Sequence, residues 1–402
     1  MTSVNLSTFE VDPIRGFLPT SDPLDRLPAT FTAWEDLVAR LPALMAVGRA
    51  REEVSRLAPI VAETLLDDRQ RWRAYLLLSL IANAYVMDGA HAKEPLTVPR
   101  VVAVPLCQVA GALRMPPVLT YSALVLHNWA RIDPDGPIDV DNLVPLCSVV
   151  GGVDEQWFFL SMTAIEAKGG PALSALVEAR NGVAADSPSA VTTELIRAAH
   201  AQSDMVAALQ RLPQRCDPYI FFNRIRPAIN NWPESGVVYD GVDTRPRSWI
   251  GASGAQSSLT QALDIALGVR HPPAMERFLR LLRDYMPTRH RQFLNALATG
   301  PSIRDYVLAS TGRGHRLRQA YNEAIDLLDT FRRKHMEIVV RYISKQTDGD
   351  GIMYGTSGTD FVRFLHQMRR DTATCRVSSC GSSTTQGVST TCRTLGFKEH
   401  GQ

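Results

Sequence analysis

From Gln156 to about residue 370 the apolar residues recur at spacings of three and four with few interruptions, which restricts this part of the chain to packed amphipathic helices. The clearest run is YNEAIDLLDTFRRKHMEIVVRYI, residues 321 to 343, where Leu328, Phe331, His335, Ile338, Val339 and Tyr342 form one stripe. Helical spacing also marks residues 33 to 87, in Leu37, Leu41, Leu44 and Met45 and then in Leu57, Ile60, Val61 and Leu65. Between these regions Pro95, Pro99, Pro105, Pro116 and Pro117 frame short segments, and DPDGP at 133 to 137 reads as a tight turn. The short apolar stretch Leu143 to Gly152 ends in two glycines and sets the expected boundary. At 402 residues the chain exceeds the roughly 250 to 300 at which one core stops growing. The expected fold is mainly α in two domains: a smaller N-terminal domain over 1–150 with a few strands, and a large helical domain over 151–370. Linkers are expected at 181–189, 212–218, 230–257, 270–274 and 345–358, and a disordered tail over 371–402, where Ser, Thr and Gly leave too few apolar residues to offset ordering entropy.

Charge excludes several classes of partner. The 43 basic and 41 acidic residues are mixed along the chain, so no sustained field exists to hold a nucleic-acid backbone or an anionic membrane. The N-terminus MTSVNLSTFEVDPIRG lacks the basic start and apolar run of a signal peptide. The most apolar stretch, Tyr75 to Met87, is shorter than the roughly 18 residues a membrane span needs and reads as a buried helix. Six scattered cysteines without a CxxC pair fit a reducing, cytoplasmic setting. The irregular spacing of Cys375, Cys380 and Cys392 reads as a bystander tail rather than as zinc ligands.

Four segments could carry chemistry, and each has a plain reading beside a functional one. His335 on the apolar stripe is either a satisfied core histidine or an axial ligand to heme iron, since an imidazole on a rigid helix in an apolar pocket suits that task. In FFNRIRPAINNW, residues 221 to 232, Arg226 is either a surface arginine or a fork for a carboxylate, with Phe221 five residues earlier. GASGAQSS at 251–258 is either a loop in which Ser257 or Ser258 caps the next helix, or a place where backbone approaches a flat ligand. It matches no nucleotide fingerprint. GTSGTD at 355–360 reads equally as a surface loop ending in a helix cap and as a lid.

Taken in order, these segments and the runs VPLCQVAGALRMPPVLTYSALVLHNW, WFFLSMTAIE, SGVVYDGV, SGAQSSLTQALDIALG, YMPTRHRQFLNAL, PSIRDYVL, LRQAYNEAI and GTSGTDFVRFL resemble the indoleamine 2,3-dioxygenase family from about residue 25 to 370. The resemblance implies one heme b per chain, ferrous when active, in a large helical domain whose distal pocket is covered by the smaller domain. It implies cleavage of the indole C2–C3 bond of L-tryptophan by O2 to N-formylkynurenine, the first step of the kynurenine pathway, with an unidentified electron donor and a monomeric chain. His335 then matches the proximal iron ligand, and Arg332 and Asp264 match polar positions around the heme, a surface ion pair being the other reading of each. Tyr121, Phe158, Phe159 and Phe221 match the indole pocket, Phe221 and Arg226 being the residues on which catalysis is expected to depend, with Arg226 on the substrate carboxylate. Ser253, Gly254 and Ala255 match the segment at the heme edge, where Ser253 and Gly254 also meet substrate, and Thr356 matches a residue closing over the amino acid portion. Met162 stands where the better-known animal enzymes carry a distal serine, so a side-chain base there is excluded; the cofactor carries the hard step.

Two alternatives follow. One is a heme protein of the same fold acting on another indole or only binding O2. Against a pure oxygen carrier stand Arg226 and the GTSGT loop, which hold nothing that O2 possesses. The other is a helical interaction module without cofactor, which would be colourless.

Overall fold

The computed structural model describes residues 4–59, 62–88, 96–310, 314–346 and 361–378. Ile60 and Val61, part of the second expected apolar run, lie outside them. The chain opens with α1 (Thr32–Ala46), α2 (Ala50–Ser55), α3 (Asp68–Met87) and α4 (Arg100–Leu113). Asp67 caps α3 by accepting from the Gln70 amide, and residues 73–86 are buried on every face. A helix buried all round needs no polar stripe, so Tyr75 to Met87 reads as continuous apolar sequence. No helix among the described residues is long and apolar enough to cross a membrane. Pro105, expected to break the chain, lies inside α4. Burial of Val102, Ala103, Leu106, Val109 and Ala110 offsets the roughly 3 kcal/mol that an interior proline costs.

The strands are short. β1 (Leu96–Val98) and β2 (Ala130–Arg131) precede β3 (Leu143–Val144), and β4 (Val237–Tyr239) follows much later. β2 pairs antiparallel with β3 across the DPDGP turn, while β1 pairs parallel with β4 in the register Leu96 to Val237 and Val98 to Tyr239.

Beyond Gly152 run α5 (Val153–Ala184) and α6 (Pro188–Gln210), leaving only 185–187 of the expected 181–189 linker outside a helix. A π-helical turn, Phe221–Ile225, separates the single turns α7 (Pro218–Ile220) and α8 (Arg226–Ala228). Then follow α9 (Ser258–Leu267), α10 (Pro273–Arg283), α11 (Thr288–Thr299), α12 (Ile303–Ala309), α13 (His315–Tyr342) and α14 (Phe361–Ala373). Residues 371–378, assigned by composition to a tail, belong to the folded body: Asp371, Thr372, Cys375 and Val377 are buried against α9 and α13. Apolar content was too coarse a guide there, because two hydrophobic anchors and an ionic contact suffice to dock one turn. The remainder of the expected tail lies outside the described residues.

Among the described residues two large hydrophobic cores form, besides a small cluster of Met275, Leu279 and Met368 that joins α10 to α14. The first gathers α1 to α4, and it does not stop at residue 150: it takes in Trp157, Phe159, Leu160 and Ala164 of α5 and much of 212–252. The second joins the rest of α5 to α6, α9, α11, α12 and the first half of α13. Midway along α5 two glycines let other backbone in. A Cβ at Gly170 would lie 2.3 Å from the Ile14 carbonyl oxygen, and one at Gly169 would lie 2.3 Å from the Leu259 side chain of α9.

Candidate functional site

Phe158 and Phe159 lie on α5, and the two other stretches that carry expected indole-pocket residues contain π-helical turns. Tyr121 directly precedes the turn Ser122–Leu126, and Phe221 opens the turn Phe221–Ile225. Such turns insert an extra residue and rotate side chains off the α-helical register, and they concentrate at functional sites. Phe221 thereby meets Phe158 of α5 at 4.7 Å between ring centroids and Tyr342 of α13 at 5.7 Å. Phe159, one residue on, meets Phe158 edge to face at 5.2 Å but is buried in the first core. Arg226 follows the π-turn with its guanidinium 5.6 Å over the Phe222 ring, and burial lowers its pKa.

The two halves of α13 differ. Up to Leu328 its apolar face is buried in the second core, whereas from Phe331 to Val340 nearly every residue is only half-buried. His335 lies in this half. Burial pushes its imidazole down to about 4, with Arg332 adding repulsion, so the ring is neutral at physiological pH. It makes no hydrogen bond to the described residues. Ile338, one turn on, and Met162 of α5 each touch both cores and remain half-buried, so they mark the seam between the two. α5 and α13 each pack along α6 with little direct contact between them. A neutral, unengaged imidazole beside half-buried apolar side chains fits an axial ligand and a flat apolar prosthetic group better than it fits a satisfied core histidine.

Arg332 and Asp264 form a buried pair, not the surface pair that was one reading of the sequence. Arg332 Nη2 donates to both carboxylate oxygens of Asp264, at 2.5 and 2.6 Å, and Nη1 donates to the Thr372 hydroxyl. His271 stands between two carboxylates, with Nδ1 2.7 Å from Asp371 and Nε2 3.2 Å from Asp264. Burial opposes its charge, but hydrogen bonds to Asp264 and Asp371 outweigh this and hold the imidazole up at about 9, so it is cationic. This network ties α9, α13 and α14 together one turn from His335.

The small-residue segment is organised differently. Ser253 caps a 3-10 turn (Gly254–Gln256) by accepting from the Ala255 amide, and Gln256 Oε1 accepts from the Tyr121 amide at 3.0 Å. Ala255 packs half-buried on the first core, whereas a Cβ at Gly254 would meet nothing within 4 Å, so this edge faces open space. Ser257 stands at the N-cap of α9 but makes no capping bond; its hydroxyl donates to Glu166 Oε1 at 2.6 Å. The expectation that its side chain caps the helix fails because the hydroxyl is turned toward the buried Glu166 carboxylate and its oxygen does not reach the first amides of α9. Tyr121 Oη donates to the same Oε1 at 2.9 Å, and Glu166 Oε2 is buried with no partner. Burial pushes Glu166 up to about 7, against the pull of these two donors.

Sequence reasoning missed Glu166, although the signal was there: Phe158, Met162 and Glu166 stand at i, i+4 and i+8 on one face of α5. It also missed His271, which carries no motif. Thr356 and the GTSGTD loop lie outside the described residues. Among those residues no three His, Cys, Asp or Glu side chains cluster as a metal site, and Cys107, Cys147, Cys216 and Cys375 are free.

Comparison with known proteins bears on the same segments. The sequence model of the indoleamine 2,3-dioxygenase family matches residues 5–375. Indoleamine 2,3-dioxygenase 1 of Rattus norvegicus is 34% identical over 91% of this chain and 94% of its own length. Indoleamine 2,3-dioxygenase 2 of Homo sapiens is 32% identical over 92% and 95%, and the indoleamine 2,3-dioxygenase of Saccharomyces cerevisiae is 31% identical over 91% and 92%. With matches of this length running through α5, the π-turns and α13, the chain belongs to the indoleamine 2,3-dioxygenase family.

Proposed function

We propose that this protein is a heme-dependent dioxygenase that cleaves the indole C2–C3 bond of L-tryptophan with O2, giving N-formylkynurenine, the first step of a kynurenine pathway. The observation that carries the reading is His335: neutral, without a side-chain hydrogen bond to the described residues and flanked by half-buried apolar residues on α13. Heme b held by this imidazole would supply the O2 activation that no side chain of the chain can provide.

The protein's own residues bind, orient and exclude water. Phe158 and Phe221 present ring faces on which a flat indole packs, each such contact contributing about 0.5–1.5 kcal/mol beyond burial. Arg226 takes the substrate carboxylate as a bidentate pair, and its partial burial strengthens that pair by excluding water. Met162 places a thioether, which neither donates nor removes a proton, on the same face of α5 as Phe158, so no base is provided at that point. Tyr121 and Ser253 close the pocket from the side of the small-residue segment, and the family resemblance assigns the substrate's amino acid portion to Thr356, which lies outside the described residues. Arg332 and Asp264 orient the cofactor side by fixing α13 against α9. A second reading, turnover of another indole, rests on Met162, whose flexible side chain accepts ring shapes that a fixed hydroxyl would not.

The test is an assay of heme-loaded, reduced protein mixed with air and L-tryptophan, with N-formylkynurenine followed by absorbance and mass. Product formation whose KM rises at least tenfold in Arg226→Ala, with heme content unchanged, supports the reading. A red protein that consumes other indoles but not L-tryptophan would replace it by the second. His335→Ala that retained full heme would sink both.

A further inference from the structure

Arg180 lies on α5, 14 residues beyond Glu166 and so about 21 Å along the helix from the site above. It is 5% exposed, and it has no ion pair among the described residues. Its Nε donates to the Pro301 carbonyl at 3.0 Å, whereas Nη1 is buried with no partner among the described residues. Burial alone acts on its charge and lowers its pKa, no carboxylate being near enough to compensate. A buried cation without a counterion costs several kcal/mol, so an arginine kept in this state calls for an anion that the described residues do not supply.

The guanidinium lies in the wall of a cleft of about 680 Å³ between the N-terminal 3-10 turn Leu6–Phe9, α5 and the end of α11. No acidic side chain lines it. Phe9, Val177, Ala184 and Ala296 give it apolar walls, and the volume lies in the range of small-molecule sites.

We propose that this cleft is a second ligand site, distinct from the heme pocket, which binds a small organic monocarboxylate through Arg180. One guanidinium with no second cation in the lining matches a single negative charge, and the apolar walls match an aliphatic or aromatic body rather than a bare inorganic ion. Gly300 is part of the arrangement: a Cβ there would come within 2.3 Å of Arg180 Nη2, so its absence lets the fork lie flat against the turn before α12.

The test uses the heme-loaded full chain carrying Arg226→Ala, which removes the carboxylate fork proposed for the active site. Benzoate and its neutral isostere benzamide are titrated by calorimetry at constant ionic strength, with inorganic phosphate in parallel. Benzoate is expected to bind with one-to-one stoichiometry and benzamide at least about tenfold more weakly. Adding Arg180→Met should abolish the benzoate response and, in the absence of anions, raise Tm by removing the uncompensated charge. Gly300→Ala, which displaces only the tip of a flexible side chain, should weaken benzoate at least about tenfold while leaving heme content unchanged, and it decides the matter if Arg180→Met fails to fold. Benzoate binding that survives both substitutions would overturn the site, as would no binding at all, and phosphate binding as tightly as benzoate would overturn the carboxylate assignment. None of these outcomes depends on turnover of tryptophan.

Discussion

The two ends of α9 anchor buried polar networks of opposite character. At its C-terminal end Asp264, Arg332, His271 and Asp371 are each paired with at least one other member, and they join three helices. At its N-terminal end Ser257, Tyr121 and Glu166 share a single carboxylate oxygen while the other has no partner. An ionic network whose members are all paired is rigid, because removing any one strands the others in low dielectric. Burial pushes the Glu166 pKa up to about 7 against the pull of its two donors, so this network takes up a proton at little cost. One end therefore fixes the helix bearing His335, and the other leaves the pocket side chemically adjustable.

The comparison can be broken most directly at Asp264. Asp264→Ala leaves Arg332 and His271 buried without their shared counterion, and a loss of about 3–5 kcal/mol is expected, read as a lowered denaturation midpoint. A loss under 1 kcal/mol would mean that the ionic end is no clamp.

His271 sharpens the same point through pH. Its folded value of about 9 lies above the ordinary 6.5, so its stabilising contribution is full below pH 6.5 and disappears as the pH rises through 9. Unfolding curves should show wild-type protein losing on the order of 2 kcal/mol more than His271→Gln across that window. Parallel curves for the two proteins would contradict the assignment.

Glu166 has the same sign for a different reason. An acid raised from 4.5 to about 7 stabilises the fold at low pH and withdraws that contribution as the pH rises through 7. Glu166→Gln, permanently neutral, should therefore escape about 1–2 kcal/mol of the stability that wild type loses between pH 4.5 and 7. It should also flatten any step in kcat/KM near pH 7; a step that persists must come from another group. The smallest effect is expected at Ser257→Ala, which removes one donor and costs about 1 kcal/mol while raising Glu166 further.

Much of the helical architecture was legible because amphipathic periodicity is a local property: α13 follows the stripe from Leu328 to Tyr342, and α3 follows the apolar stretch ending at Met87. Pro105 and residues 371–378 were misread because composition reports propensity, and packing overrides it. The π-turns at Ser122 and Phe221 leave no mark that a periodicity reading detects, since one extra residue in a helical turn shifts register without altering composition.

The sequence by itself determined the family and the mainly helical fold, and it named residues for the expected chemistry, because those depend on residue identity in order along the chain. Only the tertiary structure decided how they are used. It turned Arg332 and Asp264 from a surface pair into a buried clamp, took Ser257 away from its helix cap, and set Glu166 and His271 at opposite ends of α9. It also left Arg180 in a cleft without a counterion. Ionisation and pairing depend on burial and on neighbours that are distant in sequence, here from 7 to 100 residues away for His271 alone, and no local pattern encodes them.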